Sequence, residues 1–324
     1  MRILFITSNR IGDAILSSGL LAYLIERHRG ARITVACGPL AASLFVHAPG
    51  VEKVIPMRKE RFAGHWLRLL TQTMFRRWDL VIDLRGSATA WLLFAGERRI
   101  LKPDHAKPRV PHIASVLELV DPPAPRLWPG DAARAKARGL VPDGAVALAI
   151  GPTANWPRKA WPAERFAELV ERLTCKGGAL EGAYVVLEAG PDEGEACAPL
   201  LASIPPERLI NQIGSDLNTA YATFERVRLY IGNDSGLMHL AAAAGAPTLG
   251  LFGPTRDDLY APWGQNAAFV RGHRSQAEIV SEPGFDMMAK TSAMLDLSVD
   301  KVEEAAKALL LRTQEPGNKG RDAS

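Results

Sequence analysis

The sequence predicts an α/β protein built from two doubly wound, parallel-sheet domains, and three observations carry that prediction. The chain opens strand, helix, strand, an order that gives a parallel sheet with right-handed crossovers. Near the middle, Asp121 to Gly130 reads DPPAPRLWPG, and its four prolines break the alternation. Beyond it a second alternation culminates in Arg228 to Thr255, RLYIGNDSGLMHLAAAAGAPTLGLFGPT, a compact strand, loop, helix, turn and strand. At 324 residues with 47% hydrophobic residues, the chain is long enough for two cores.

In the first domain, residues 1–144, Ile3 to Thr7 is a short apolar strand and Ser8 to Gly12 a polar loop. Asp13 occupies an N-cap position. Ala14 to Arg27 follows with apolar residues at Ile15, Leu16, Leu20, Leu21, Leu24 and Ile25, a helical period. Arg32 to Ala36 and Val51 to Pro56 are strands. Arg61 to Trp78 reads as a basic helix with aromatics at Phe62, Trp66 and Phe75, whose apolar stripe packs on the sheet while its arginines meet solvent or an anionic surface. Leu80 to Leu84 is a further strand, and the loop after it, Arg85-Gly86-Ser87, belongs to the ligand-facing edge of an open sheet. Lys102 to Arg109 mixes cations and prolines as a loop free to close over a substrate. A short helix from Asp131 reaches Gly144, where the domain boundary is expected.

The second domain, residues 145–312, starts with the strand Ala145 to Ile150 and the loop from Gly151-Pro152-Thr153 to Pro162. A helix over Ala163 to Cys175, a strand over Tyr184 to Glu188 and a helix over Glu195 to Ser203 follow. A short strand at Leu209 to Gln212 and a helix over Thr219 to Arg226 lead into the Arg228 to Thr255 unit. Val299 to Leu311 is a last amphipathic helix, and 313–324 is a polar tail expected to be disordered.

Charge divides the chain unevenly. Residues 1–144 hold 22 Lys and Arg against 12 Asp and Glu, leaving 17 against 23 in the remainder, so the first domain seeks an anionic partner. No zinc-finger, recognition-helix or aromatic RNA-binding signature accompanies the cations, which argues against nucleic acid. The three cysteines, Cys37, Cys175 and Cys197, have no metal-ligand spacing and suit a reducing, cytoplasmic location without structural zinc. The apolar MRILFI start is too short for a signal-peptide core, and no run is long enough to span a bilayer. Neither a Walker A sequence nor G-x-G-x-x-G is present, so ATPase and nicotinamide readings lack their loops.

The Arg228 to Thr255 unit brings two strand ends and a helix N-terminus to one crevice, an arrangement that holds phosphates. Ser235, Gly236 and Leu237 offer backbone N–H groups at that helix start. Two such domains facing each other across a cleft suit a two-substrate enzyme, with a nucleotide diphosphate on the second and an anionic acceptor on the first.

These residues carry a family resemblance. Arg10-Ile11-Gly12-Asp13 matches an N-terminal R-x-G-D loop, and Asp234-Ser235-Gly236-Leu237-Met238-His239-Leu240-Ala241 matches a D-[ST]-G-x-x-H-[LI]-A block. Gly245-Ala246-Pro247, Phe252-Gly253-Pro254-Thr255 and the intermediate Lys159-Ala160-Trp161-Pro162 complete the set. The chain resembles glycosyltransferase family 9, the ADP-heptose:lipopolysaccharide heptosyltransferases, across nearly its whole length. The resemblance implies a GT-B fold: two Rossmann-like domains, with a last helix, about 299–311, that returns to the first. It departs at Gly19, where many members have proline, and at His273 to Met288, which holds no cysteine.

The resemblance further implies a single inverting displacement without a metal or other cofactor, the ADP-sugar being a substrate. That chemistry needs a base for the acceptor hydroxyl and charge stabilisation for the leaving diphosphate. Asp13 is the expected base, an N-cap role being the alternative. Lys159 is expected to stabilise the departing diphosphate as a point charge, helped by a hydroxyl bond from Thr153. Glu193 is expected at the ribose, His239 at the phosphate or packed in the helix, and Asp234 with its carboxylate turned to helix N–H groups or a sugar hydroxyl. Arg10, Arg58, Arg61 and Arg85 are expected on the acceptor side. The implied partners are a nucleotide-sugar donor, an anionic lipid-linked glycan acceptor and, peripherally, the cytoplasmic face of the inner membrane. A GT-B transferase for another nucleotide sugar, a non-catalytic anion-binding relative and a membrane-surface scaffold are the competing readings.

Overall fold

The computed structural model describes residues 1–314, and these divide into two compact units, Met1–Gly130 and the chain from Asp131 onward. In the first, β1 (Arg2–Ile6), β2 (Arg32–Cys37), β3 (Val51–Pro56), β4 (Trp78–Asp83) and β5 (Ala95–Ile100) form a parallel sheet in the order β3-β2-β1-β4-β5. The helices are α1 (Ile11–Leu16), α2 (Ser18–Arg27), α3 (Gly64–Thr73) and α4 (Arg109–Ala114). Central β1 buries Ile3, Leu4, Phe5 and Ile6 completely, as a strand covered on both faces must.

Several sequence expectations change here. The helix predicted over Ala14 to Arg27 begins at Ile11 and is broken at Ser17, whose hydroxyl bonds back to the Ala14 carbonyl at 2.8 Å. Arg10 is the residue that precedes α1, so Asp13 lies inside the first turn and is not the N-cap. Gly19 has a packing reason: a Cβ there would stand 2.3 Å from the Pro123 carbonyl oxygen and 2.5 Å from that of Ala124. The proline-rich segment therefore crosses α2 at closest approach, and the Arg126 N–H bonds Ser18 Oγ at 2.9 Å beside it. The basic helix is shorter than Arg61 to Trp78, because Phe62 and Ala63 adopt left-handed backbone and Trp78 already starts β4.

The second unit contains β6 (Ala147–Gly151), β7 (Tyr184–Leu187), β8 (Leu209–Asn211), β9 (Leu229–Asn233), β10 (Thr248–Phe252) and β11 (Ala267–Arg271), parallel throughout in the order β11-β10-β9-β6-β7-β8. Its helices are α5 (Asp131–Leu140), α6 (Ala163–Thr174), α7 (Ala198–Ser203), α8 (Leu217–Phe224), α9 (Gly236–Ala243), α10 (Asp257–Tyr260), α11 (Gln276–Val280) and α12 (Val299–Gln314). The division falls at Gly130 rather than Gly144, because α5 packs on α8 and so belongs to the second unit. Helix α12, expected to return to the first domain, packs through Val302, Ala306 and Leu309 against the core of its own unit, touching α6, β10 and β11. Thr313 and Gln314, assigned to the tail, are helical, and the rest of the tail lies outside the described residues.

Candidate functional site

In the second unit the predicted residues gather at the C-terminal ends of neighbouring strands β7, β6 and β9. Lys159 follows β6 on a loop that is pinned from two sides. Trp161, buried, donates its indole N–H to the Leu297 carbonyl at 2.9 Å and packs edge-on against Phe166. Its backbone N–H donates to Asn233 Oδ1 at 2.9 Å, while Asn233 Nδ2 donates to the Pro152 carbonyl at 2.7 Å. Asn233 is wholly buried at the end of β9, so one amide holds both ends of the loop. The lysine this loop presents is itself 7% exposed, unlike an ordinary surface lysine.

Lys159 Nζ donates to the Asp234 carbonyl oxygen at 2.5 Å and lies 3.5 Å from Asp234 Oδ2, with the Trp156 ring centroid 5.5 Å away. The Asp234 carboxylate thus faces the cation Lys159, whereas the sequence turns it toward the N–H groups of the helix or a sugar hydroxyl. Ser235 caps α9 by position without a side-chain cap bond, and Gly236 opens the helix, so the first N–H groups of α9 remain available to an anion. Ser235, Gly236 and Leu237 are half-buried there, and His239 is buried one turn further along. Glycine is required beneath this site. The Tyr230 hydroxyl would lie 2.1 Å from a Cβ at Gly151 and 2.4 Å from one at Gly232.

Thr153 and Glu193 meet directly: the Thr153 hydroxyl donates to Glu193 Oε2 at 2.6 Å, and the Gly190 N–H donates to the same oxygen at 2.6 Å. The Thr153 proton is therefore committed to the carboxylate, and only its oxygen lone pairs are left for another donor. One residue that the sequence reading placed only as a strand end stands nearby. Glu188, after β7, is 1% exposed, and its Oε2 accepts no hydrogen bond from the described residues. Burial first, and then repulsion from Asp216, push its carboxyl well above the usual range, with Lys136 opposing.

In the first unit Asp13 pairs with Arg109, Nε to Oδ1 at 3.0 Å, and Ser8 Oγ lies 3.5 Å from its other oxygen. Arg109 is in turn fixed by His112, Nη1 to Nδ1 at 3.2 Å, whose Nε2 is 2.8 Å from the Lys102 carbonyl. The cation on Asp13 is thus Arg109, 96 residues away, rather than its near neighbour Arg10, which is exposed. Arg10, Arg58 and Arg85 follow β1, β3 and β4 at the C-terminal edge of the sheet, Arg61 three residues after Arg58, and all four are exposed. The Arg85 guanidinium lies over the Trp66 ring at 5.3 Å. The pairing of Arg109 with Asp13 and of Asn233 with Trp161 and Pro152 is not legible in the sequence, because the partners are distant in the chain.

The family described as "Glycosyltransferase family 9 (heptosyltransferase)" matches residues 121–285. Lipopolysaccharide heptosyltransferase 2 of Escherichia coli K12 is 26% identical over 365 residues, covering 97% of this chain and 100% of that protein. Among solved structures, a family 9 glycosyl transferase from Veillonella parvula superposes with a TM-score of 0.76 at 22% identity, over 96% of this chain and 97% of that one. E. coli ADP-heptose lps heptosyltransferase II does so with a TM-score of 0.74 at 24% identity, over 97% and 100%.

Proposed function

The chain belongs to glycosyltransferase family 9, and from that membership we propose that it transfers heptose from ADP-L-glycero-D-manno-heptose to a lipopolysaccharide inner-core acceptor, inverting the anomeric centre. The observation that carries the donor assignment is the buried Lys159, held against residue 234 at the start of α9. A cation with little water around it and a row of helix N–H groups together favour a diphosphate, and favour it more as charge grows on the leaving oxygen. Glu193 then accepts from the ribose hydroxyls, with Thr153 and Gly190 keeping its carboxylate oriented.

The proton chemistry is assigned to Asp13. Its carboxylate takes the proton of the acceptor hydroxyl as that oxygen forms a bond to the anomeric carbon and the bond to the diphosphate breaks. Arg109 fixes one carboxylate oxygen, and the other, held only by the long contact to Ser8 Oγ at 3.5 Å, takes the substrate's proton. Arg10, Arg58, Arg61 and Arg85 serve the phosphates of the lipid-linked acceptor, whose anchor sets the working position at the cytoplasmic face of the inner membrane.

Purified protein supplied with ADP-heptose and a core acceptor is expected to release ADP and to extend the acceptor by one heptose. Other nucleotide sugars should turn over much more slowly. Absence of turnover with any ADP-sugar would overturn the donor assignment.

A further inference from the structure

Helix α3 and the crossover Ala88–Phe94 lie side by side over one face of the first sheet, where Leu69, Ala90 and Leu93 share a core with Leu4 and Val81. The outer side of this layer carries exposed apolar side chains beside the polar Arg68, Thr71 and Gln72 of α3. Leu67, on the side of α3 opposite Leu69, is 64% exposed, and Trp91, Leu92 and Phe94 are 69%, 63% and 74% exposed. Phe62, just before α3, is fully exposed. Of the six aromatic side chains exposed among the described residues, three, Phe62, Trp91 and Phe94, belong to this face, which makes it a patch rather than ordinary scatter.

Two features show that these side chains are held outward. Phe62 and Ala63 both adopt left-handed backbone, φ 51° and 60°, a conformation that costs a non-glycine residue free energy and here projects a phenylalanine into solvent. The crossover is fastened from within by Arg98, which donates to the carbonyls of Ala90, at 2.9 Å, Leu93 and Ala95. Cations border the apolar side chains: Arg58, Lys59, Arg61 and Arg85 are exposed, the last lying over Trp66. From Met57 to Phe94 the sequence holds seven Lys and Arg against three Asp and Glu, and one of the three, Asp83, is buried.

We propose that this face docks on an anionic phospholipid bilayer. Trp91, Leu92, Phe94, Leu67 and Phe62 enter the headgroup boundary, while Arg58, Lys59, Arg61 and Arg85 meet lipid phosphates. Projecting aromatics and leucines interleaved with cations match that boundary on both counts, an apolar depth beneath an anionic plane. A second copy of the chain would bring a face of the same charge and be repelled. The choice of leaflet rests on the lipid-linked acceptor proposed above; binding itself does not, and it is measured without donor or acceptor.

The full-length protein is floated with vesicles of phosphatidylethanolamine and phosphatidylglycerol, and with vesicles of phosphatidylcholine alone. It should rise with the anionic vesicles, less so as salt is added, and stay below with the neutral ones. The double variant Trp91→Ser with Leu92→Ser should partition at least about tenfold more weakly at an unchanged melting temperature, since two apolar side chains are withdrawn. Phe62→Ser, outside any packed segment, should weaken partition by itself. Equal flotation of wild type and variants overturns the proposal. So does absence of vesicle binding, or a wild-type dimer that the double variant converts to monomer.

Discussion

Asp13 and Lys159 are the residues to which we assign the transfer chemistry, and each is held by a partner that no local motif reveals. Asp13→Asn keeps the shape and the contact with Arg109 but removes the base, so kcat should fall roughly 10²–10⁴-fold. ADP affinity, measured by calorimetry, should be unchanged because Asp13 lies in the other unit from Lys159. Asn233→Ala should strip the Trp161 N–H and the Pro152 carbonyl of their partner at once, at about 1–3 kcal/mol for each buried group left unsatisfied. A lower melting temperature and weaker ADP binding are expected together, since the loop carrying Lys159 loses its anchor. Glu188 supplies a pH test. Its folded-state value is raised, so the folded protein holds that proton more tightly than the unfolded chain. Stability therefore falls as pH rises through the unfolded value of about 4.3 toward the folded one. Glu188→Gln cannot lose the proton. It should melt with the wild type near pH 4 and above it at pH 8, and identical melting curves at both pH values would count against the buried charge. The Asp234 block and Lys159 stand out in sequence through the short contiguous motifs that carry the family resemblance. The partners of Arg109 and Asn233 do not, since a side chain's partner 70 to 100 residues away leaves no periodic trace.

Among the elements, legibility followed burial. Strands β1, β2 and β10 are legible because apolar runs mark strands covered on both faces, whereas β3, an edge strand that is largely exposed, is legible from its β-branched residues Val51, Val54 and Ile55. The missed strands β5, AGERRI, and β11, AAFVR, stand at sheet edges, where one side is open and charged residues are tolerated. The opposite error occurred at α3: a periodic stretch was extended through Trp78, although that residue is buried as the first of β4. Helix α2 shows what a single missing side chain permits. Gly19→Ala would drive a Cβ into the Pro123 and Ala124 carbonyls, neither of which is a flexible side-chain end. Overpacking of this kind costs about 1–3 kcal/mol, so the urea midpoint should drop, and a midpoint equal to wild type would show that the proline-rich segment can move aside.

For the molecule as a whole, the decisive feature is that each unit has its own sheet and its own core. A fragment beginning at Asp131 should therefore melt cooperatively and bind ADP with an affinity close to that of the full chain, while showing no transfer. A fragment beginning at Gly144 should fare worse, because α5 is cut from α8. Melting and calorimetry on the two fragments distinguish a boundary at Gly130 from one at Gly144, the position that composition suggested when prolines and glycines were the only guide.

The strand order of the first unit also governs what happens during synthesis. Its central strand, β1, is made first, and every strand that pairs around it has left the ribosome soon after residue 100. Translation at roughly 5–20 residues per second leaves on the order of ten seconds or more before the second unit is complete, whereas parallel α/β domains fold within milliseconds to seconds. Asp13 and Arg109 are thus paired in a finished unit while Lys159 and Asp234 are still being joined to the chain. The second unit closes last, at β11 and α12, so it remains the exposed and vulnerable half of each newly made molecule.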